Sequence, residues 1–366
     1  MTISQKEIMH HFDVQGDFID AQPYGSGHIN DTYAVYYRVG GTDLRYLLQR
    51  VNHLIFKDVP ALMENIDRVT TCVIQNLEKE GVQDISRKTL TLIKTLDNQS
   101  YFLDADGNYW RCYIFIEKAT GHDIVQCEKQ AYEAAKAFAK FQKILSNLPG
   151  KPLNETIVDF HNAVKRLKTL EDAIAKDSCS RVASCQEEID FILNRRDLIC
   201  SLVNLQETNE IPTRPTHNDC KLNNVLIDDQ TGEATSVIDL DTLMPGLSLY
   251  DFGDLVRTST SPVAEDEKDC SKVTMRMNMY KALVDGFMSE GKDYLTKKEI
   301  ELLPVGGQVI TITIGIRFLT DYLSGDTYFK TKYDNHNLVR ARTQIALVAS
   351  MEEQLEAMQN CTKDFL

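Results

Sequence analysis

Two stretches, THNDCKLNNVLIDD at 216–229 and SVIDLDTLMPGLSLYDFGD at 236–254, crowd carboxylates and asparagines into fewer than forty residues. His217, Asp219 and Asn224 form the pattern H-x-D-x-x-x-x-N, and Asp239 closes the later apolar run. VLID and SVIDLD read as short strands joined by the turn DDQTGEA, which together make a hairpin. Asp219 and Asn224 precede that hairpin and Asp239 ends it, so the three are expected to converge at one end. Phosphoryl transfer needs such a set. One carboxylate accepts the proton of the acceptor hydroxyl, while an amide oxygen and a second carboxylate hold Mg2+ on the nucleotide phosphates. Mg2+ prefers oxygen and keeps several waters, so few protein ligands suffice. The competing reading is a loop with polar caps and a surface hairpin.

The elements that must position these residues change character along the chain. Residues 29–38 (INDTYAVYYR) and 44–52 (LRYLLQRVN) read as strands about a GG turn. A helix follows, started by Asp58 and Pro60 and stopped at Gly81, with Leu62, Ile66, Val69, Val73 and Leu77 on one face. TLTLIKTL and YFLDADGNYWRCYIFIE supply three further strands, the last two joined by a DADGN turn. Beyond residue 120 the spacing of apolar residues is helical in four long segments. The expected architecture is α+β, with a small sheet-rich lobe over 1–118 and a larger, mainly helical lobe over 119–366.

With 366 residues the chain is long enough for two lobes, and its net charge of −14 argues against a binder of nucleic-acid backbones. The nine cysteines, at 72, 112, 127, 179, 185, 200, 220, 270 and 361, include no CxxC pair and no zinc spacing. Their odd number and scatter fit reduced thiols. The N-terminus lacks a signal-peptide run, and no stretch reads as a bilayer span. A soluble, cytoplasmic monomer with small-molecule ligands, and no nucleic-acid or membrane partner, is expected.

The H-x-D-x-x-x-x-N core resembles the aminoglycoside phosphotransferase and choline kinase branch of the protein-kinase-like fold. The longer set THNDCKLNN, IDLDTLMPG, DFGD, YGSGHIND and RFLTDYLSGDTYFKTKY resembles the N-acetylhexosamine 1-kinases, over nearly the whole chain. The resemblance implies an ATP- and Mg2+-dependent kinase of two lobes, the first an antiparallel sheet that binds nucleotide, the second helical and holding the sugar. It implies Asp219 as base and Asn224 and Asp239 as metal ligands. Lys221 would steady the transferred phosphoryl group, or else be a solvated loop lysine. Gly25 and Gly27 read as a lid over phosphates, and His28 at its tip would reach the sugar or stay solvated. Gln49 stands where kinases commonly place a phosphate-pairing lysine, with Arg50 turned to the other face. The backbone of Phe115 to Glu117 would read adenine.

Arg317 and Tyr328 would line the sugar pocket, with Asp321, four residues from Arg317, as orienting support or ion-pair partner. Asp241 is open between metal, sugar and structure; it faces the side of Asp239 if the strand persists. Asp251-Phe252-Gly253 copies the metal motif of protein kinases but lies 27 residues past Asn224. It is expected to be structural, with Asp251 or Asp254 capping a helix and bracing the catalytic loop. The implied reaction is phosphorylation of the anomeric hydroxyl of GlcNAc or GalNAc. The alternatives are a kinase of another small alcohol (aminoglycoside, choline, homoserine or methylthioribose) and a kinase-like binding module without turnover.

Overall fold

A computed structural model of the chain describes residues 3–25 and 29–366. It divides into two compact units, one of 1–120, 147–157 and 226–244, the other of 121–146, 158–225 and 245–366. The first division falls two residues from the boundary expected at 118. The chain then returns twice to the first unit, a weave that segment composition does not reveal.

The first unit is built on an antiparallel sheet of β1 (Asp17–Pro23), β2 (Asp31–Val39), β3 (Thr42–Val51), β4 (Leu92–Ile93), β5 (Phe102–Leu103) and β6 (Tyr109–Ile114), in the order β1-β2-β3-β6-β4 with β5 also on β6. A short helix, α1 (Gln5–Met9), closed by a Ser4/Glu7 capping box, contributes Ile8 and Met9 to a core with Val35, Tyr37, Tyr46, Leu48, Trp110 and Cys112. The expected helix is α2 (Val59–Lys79), whose first turn is capped by Asp58 accepting from the Ala61 N–H at 3.0 Å. Its five expected apolar residues are all buried. The one-turn α3 (Ile85–Lys88) follows.

The strand expected through SVIDLD stops early, spanning only Ala234–Val237. Asp239 adopts a left-handed conformation (φ 60°) and leads into a 3-10 turn over Leu240–Thr242. Asp239 and Asp241 are therefore not related by strand alternation. A short polar side chain tolerates the left-handed region, and no pattern of apolar residues announces it.

The second unit is helical: α4 (Glu128–Leu145), α5 (Ala163–Lys176), α6 (Gln186–Leu193), α7 (Arg196–Glu207), α8 (Ser248–Thr260), α9 (Met277–Gly291), α10 (Lys297–Leu323), α11 (His336–Glu353) and α12 (Leu355–Lys363). By length and composition alone α10 could cross a membrane, a stretch the sequence reading passed over. In its most apolar window 83% is buried within the protein, as in a central core helix.

The DFG triplet opens α8 and serves packing. Phe252 is fully buried, its ring 5.2 Å from that of Phe287 and 6.0 Å from that of Tyr280. A Cβ on Gly253 would lie 2.3 Å from the Gly306 carbonyl oxygen of α10, so the two backbones meet where neither helix carries a side chain. Gly253→Ala is therefore expected to cost about 1–3 kcal/mol or more, because the obstructing atom is backbone and the helices must separate. Thermal unfolding of the variant measures this, and an unchanged Tm would refute the close crossing.

Candidate active site

In the second unit the segment 216–224 is fixed from several sides. Asp251 accepts the backbone N–H of His217 at 2.9 Å and of Asn218 at 2.7 Å, and it also accepts from the Gln142 amide. Burial raises the Asp251 pKa, opposed by His217 and these hydrogen bonds. The residue is thus the brace that was expected, lying inside the first turn of α8 and not ahead of the helix. Asn218 takes a left-handed φ of 65° and donates from its side chain to the Thr216 carbonyl at 3.1 Å. His217 is fully buried, edge-on to Phe138 at 5.1 Å, and its Nδ1 accepts the Asp219 N–H at 3.3 Å. This is the structural role of a residue that holds a loop.

His161 was not singled out from sequence. It is buried, and its Nε2 lies 2.8 Å from the Asn218 carbonyl, while Nδ1 has no hydrogen-bond partner. A carbonyl can only accept, so Nε2 carries the proton and the ring is neutral. Burial pushes its pKa down to about 4. An unfolded histidine titrates near 6.5, so the unfolded chain binds more protons between these values. The contribution is whole above about pH 6.5 and is lost as pH falls towards 4, about 3 kcal/mol in all. His161→Gln, which can still donate to the carbonyl, should flatten that part of the stability–pH curve. Parallel curves for the two proteins in urea titrations would contradict this.

This bracing presents Asp219. Asn224 donates to the Asp219 carbonyl oxygen at 2.8 Å and to its Oδ2 at 2.9 Å, and Lys221 Nζ lies 2.9 Å from the same Oδ2. Burial drives the carboxyl upward, but the charge and hydrogen bond of Lys221, with His217 and Asn224, hold it below the ordinary carboxylate range. Asp219 is thus ionised at neutral pH and remains 28% exposed. Asn224 spends its NH2 group on Asp219, which leaves its amide oxygen as a metal-type donor. Lys221 touches the carboxylate and is half-exposed, so it is neither isolated nor buried.

Arg317 on α10 lies over three rings, 5.2 Å from Phe160, 5.8 Å from Tyr328 and 5.5 Å from Phe329. It does not pair with Asp321. That carboxylate instead accepts the backbone N–H groups of Thr327, Tyr328 and Phe329 at 2.8–2.9 Å, and the Asn337 amide. Three amides outcompete one neighbouring guanidinium, and they fix the backbone that carries Tyr328. Arg317 and Tyr328 are therefore brought together, and Asp321 supports them through the chain.

In the first unit, Gly25, two residues past β1, has a φ of 81°, a conformation that favours glycine. Gly27 and His28 lie outside the described residues. β1 itself was not foreseen; it pairs antiparallel with β2, and Tyr24 N–H donates to the Thr32 carbonyl at 2.9 Å. Gln49 has both ends of its amide engaged, donating to Thr32 Oγ1 at 3.0 Å and accepting from Arg111 Nε at 2.9 Å. Arg50, on the other face as alternation requires, pairs with Asp31 near solvent.

Arg111 is the main residue that the sequence reading missed. Its side chain is 2% exposed and ion-pairs with Asp241, whose other oxygen accepts from Asn30 at 2.6 Å. Burial opposes its charge, but Asp241 above all, with Asp239 adding to the field, keeps it more firmly protonated than a free guanidinium. Asp241 thus belongs to a buried ion pair. An arginine between Trp110 and Cys112 on a strand was the available signal. In the segment expected to read adenine, Phe115 N–H donates to the Arg45 carbonyl at 3.2 Å and the Glu117 carbonyl accepts from Arg87 at 3.1 Å. Among the described residues this leaves the Phe115 carbonyl and the Glu117 N–H for a ligand.

A family model described as a phosphotransferase enzyme family, APH, matches residues 20–269, more than half of the chain. The chain belongs to that phosphotransferase family. Similar solved structures include a microcompartment-associated aminopropanol kinase (16% identity, covering 97% of each chain, TM-score 0.63). An aminoglycoside phosphotransferase from Alicyclobacillus acidocaldarius matches at 13% identity, over 98% of each chain, with TM-score 0.61. Spectinomycin phosphotransferase, solved with ADP and spectinomycin, matches at 12% identity over 95% of this chain and 97% of that one, with TM-score 0.56. At such identities the likeness carries the fold, a phosphotransferase of kinase-like architecture with an antiparallel sheet in its N-terminal part and helices in its C-terminal part.

Proposed function

We propose that this phosphotransferase is an ATP-dependent small-molecule kinase, and that its acceptor is the anomeric hydroxyl of an N-acetylhexosamine such as GlcNAc or GalNAc. The observation that carries the acceptor class is Arg317 lying over the Phe160, Tyr328 and Phe329 rings with no carboxylate partner among the described residues. An ammonium acceptor calls for acids or an aromatic cage free of competing cations. A guanidinium instead donates to hydroxyl and carbonyl oxygens, and Tyr328 offers both a flat face and a hydroxyl.

Asp219 orients O1–H and takes its proton as O1 bonds to the γ-phosphorus. The bond from that phosphorus to the β–γ bridging oxygen breaks, giving the sugar 1-phosphate and ADP with no phosphoenzyme. Lys221 supplies positive charge beside the reacting oxygens. Mg2+ when bound neutralises phosphate charge, and Asn224 by its amide oxygen and Asp239 by its carboxylate are assigned to hold it. Both are hard oxygen donors, the type Mg2+ selects. Among the described residues no three of His, Cys, Asp or Glu form a metal cage, so phosphate and water would complete the shell. On the nucleotide side we assign Gly25, Gly27 and the Phe115–Glu117 backbone, and on the sugar side His28. Gln49 is assigned an indirect role, through Arg111. We also propose a cytoplasmic, monomeric enzyme; its nine unpaired cysteines suit a reducing compartment.

Phosphorus NMR of the product from ATP, Mg2+ and a panel of sugars and amino alcohols tests the reading. A glycosyl phosphate that hydrolyses in mild acid is expected. An acid-stable phosphate of a primary alcohol as the main product would replace the sugar reading with another small-alcohol kinase.

A further inference from the structure

A second arginine stands beside the proposed acceptor residues. Arg166, on α5, donates from Nη2 to the Phe160 carbonyl at 3.1 Å, and its buried Nε has no hydrogen-bond partner. Arg317 lies over the ring of the same Phe160 at 5.2 Å. Two guanidiniums therefore hold one phenylalanine, one at its backbone oxygen and one at its ring.

Among the described residues neither arginine makes an ion pair. Asp159, whose charge acts on Arg166, is itself ion-paired to Lys165 Nζ at 2.7 Å. The next cation along, Arg257, is occupied by Asp254 at 2.8 Å and Glu265 at 2.7 Å. Burial lowers the pKa of both Arg166 and Arg317, and Arg166 lowers that of Arg317 further by its charge. In a chain with a net charge of −14, two adjacent buried cations without an ion pair of their own are a costly arrangement. Tyr328 gives Arg317 a side-chain hydrogen bond, and the arrangement becomes favourable when a ligand brings further oxygen acceptors to it and to the unspent Arg166 Nε. The same arrangement repels an ammonium group.

We propose that Arg166 is a specificity-determining residue. Together with Arg317 it forms an oxygen-seeking, cation-rejecting wall against Phe160 that accepts the acyl carbonyl or hydroxyl oxygens of a neutral N-acylated sugar and excludes the corresponding free amine. This rests on the proposed sugar-kinase reading and adds to it a selection rule and a residue that enforces it.

The test compares GlcNAc with glucosamine, which differ only in the acetyl group, at a pH where the amine is protonated. Wild type, Arg166→Met and Arg166→Lys are measured by ADP release with ATP and Mg2+, and by calorimetric sugar binding without nucleotide. Wild type should prefer GlcNAc at least tenfold in kcat/KM. Arg166→Met should narrow that preference several-fold, with glucosamine improving in absolute terms. Arg166→Lys, which keeps the charge and loses the planar donors, should weaken GlcNAc while still rejecting glucosamine.

If wild type handles GlcNAc and Arg166→Met, folded by its melting curve, leaves the ratio within twofold, the Arg166 assignment fails and the sugar reading stands. If wild type prefers glucosamine or another ammonium acceptor, or binds neither sugar, both fail.

Discussion

Asp219→Asn should lower kcat by about 10²–10⁴-fold, equivalent to about 3–5 kcal/mol of barrier, while ATP binding stays near its wild-type value. The substitution is nearly isosteric. The new amide oxygen can still accept from Asn224, which donates to Oδ2 at 2.9 Å in the native protein, so the loop keeps its shape. What disappears is the acceptor of the O1 proton. Loss of the Lys221 contact is a small perturbation, since both side chains are partly in solvent and exposed pairs contribute little. Coupled ADP detection and nucleotide titration on the same preparation separate the two effects. Turnover within a few-fold of wild type would remove Asp219 from the role of base. Because neighbouring groups hold its pKa low, the wild-type acid limb should also fall below the usual carboxylate range.

The largest loss of stability is expected at Arg111. Arg111→Met leaves Asp241, a side chain 4% exposed, as a buried charge with Asn30, among the described residues, to bond it, at a cost of about 3–5 kcal/mol. Neutralising the partner should then help. The Arg111→Met/Asp241→Asn double variant is expected to be more stable than Arg111→Met alone, because an amide is far cheaper to bury unpaired than a carboxylate. Urea unfolding of the four proteins of the cycle measures the coupling. Additive losses would mean that the pair does not act as a unit.

The fold and the local part of the site were legible from sequence for a common reason: their determinants are close in the chain. The cap, apolar stripe and stop of α2 fall within residues 58–81, and the spacing of Asp219, Lys221 and Asn224 fits within six residues. β1 was missed because DFIDAQP is a largely exposed edge strand, ending in proline, without the alternation that marks a half-buried one. The extension of a strand through Asp239 failed because aspartate suits a left-handed turn as well as a strand end. Arg111 and Asp241 lie 130 positions apart, and Arg166 sits in an ordinary charged helix. No local pattern reports which distant carboxylate meets an arginine, or that none does. The Arg317–Asp321 spacing permitted an ion pair, and a loop with three free N–H groups took the carboxylate instead.

The interlaced course of the chain limits how the molecule can be taken apart. A fragment ending at residue 120 would lack Asn154 and the Leu243 carbonyl that Asn65 bonds, Asp228 for Arg87, and the counter-ion of Arg111. Such a piece would carry an orphaned interior cation and should be insoluble or molten when expressed alone. Swapping of acceptor specificity between relatives is therefore better attempted by exchanging side chains in place than by joining gene halves.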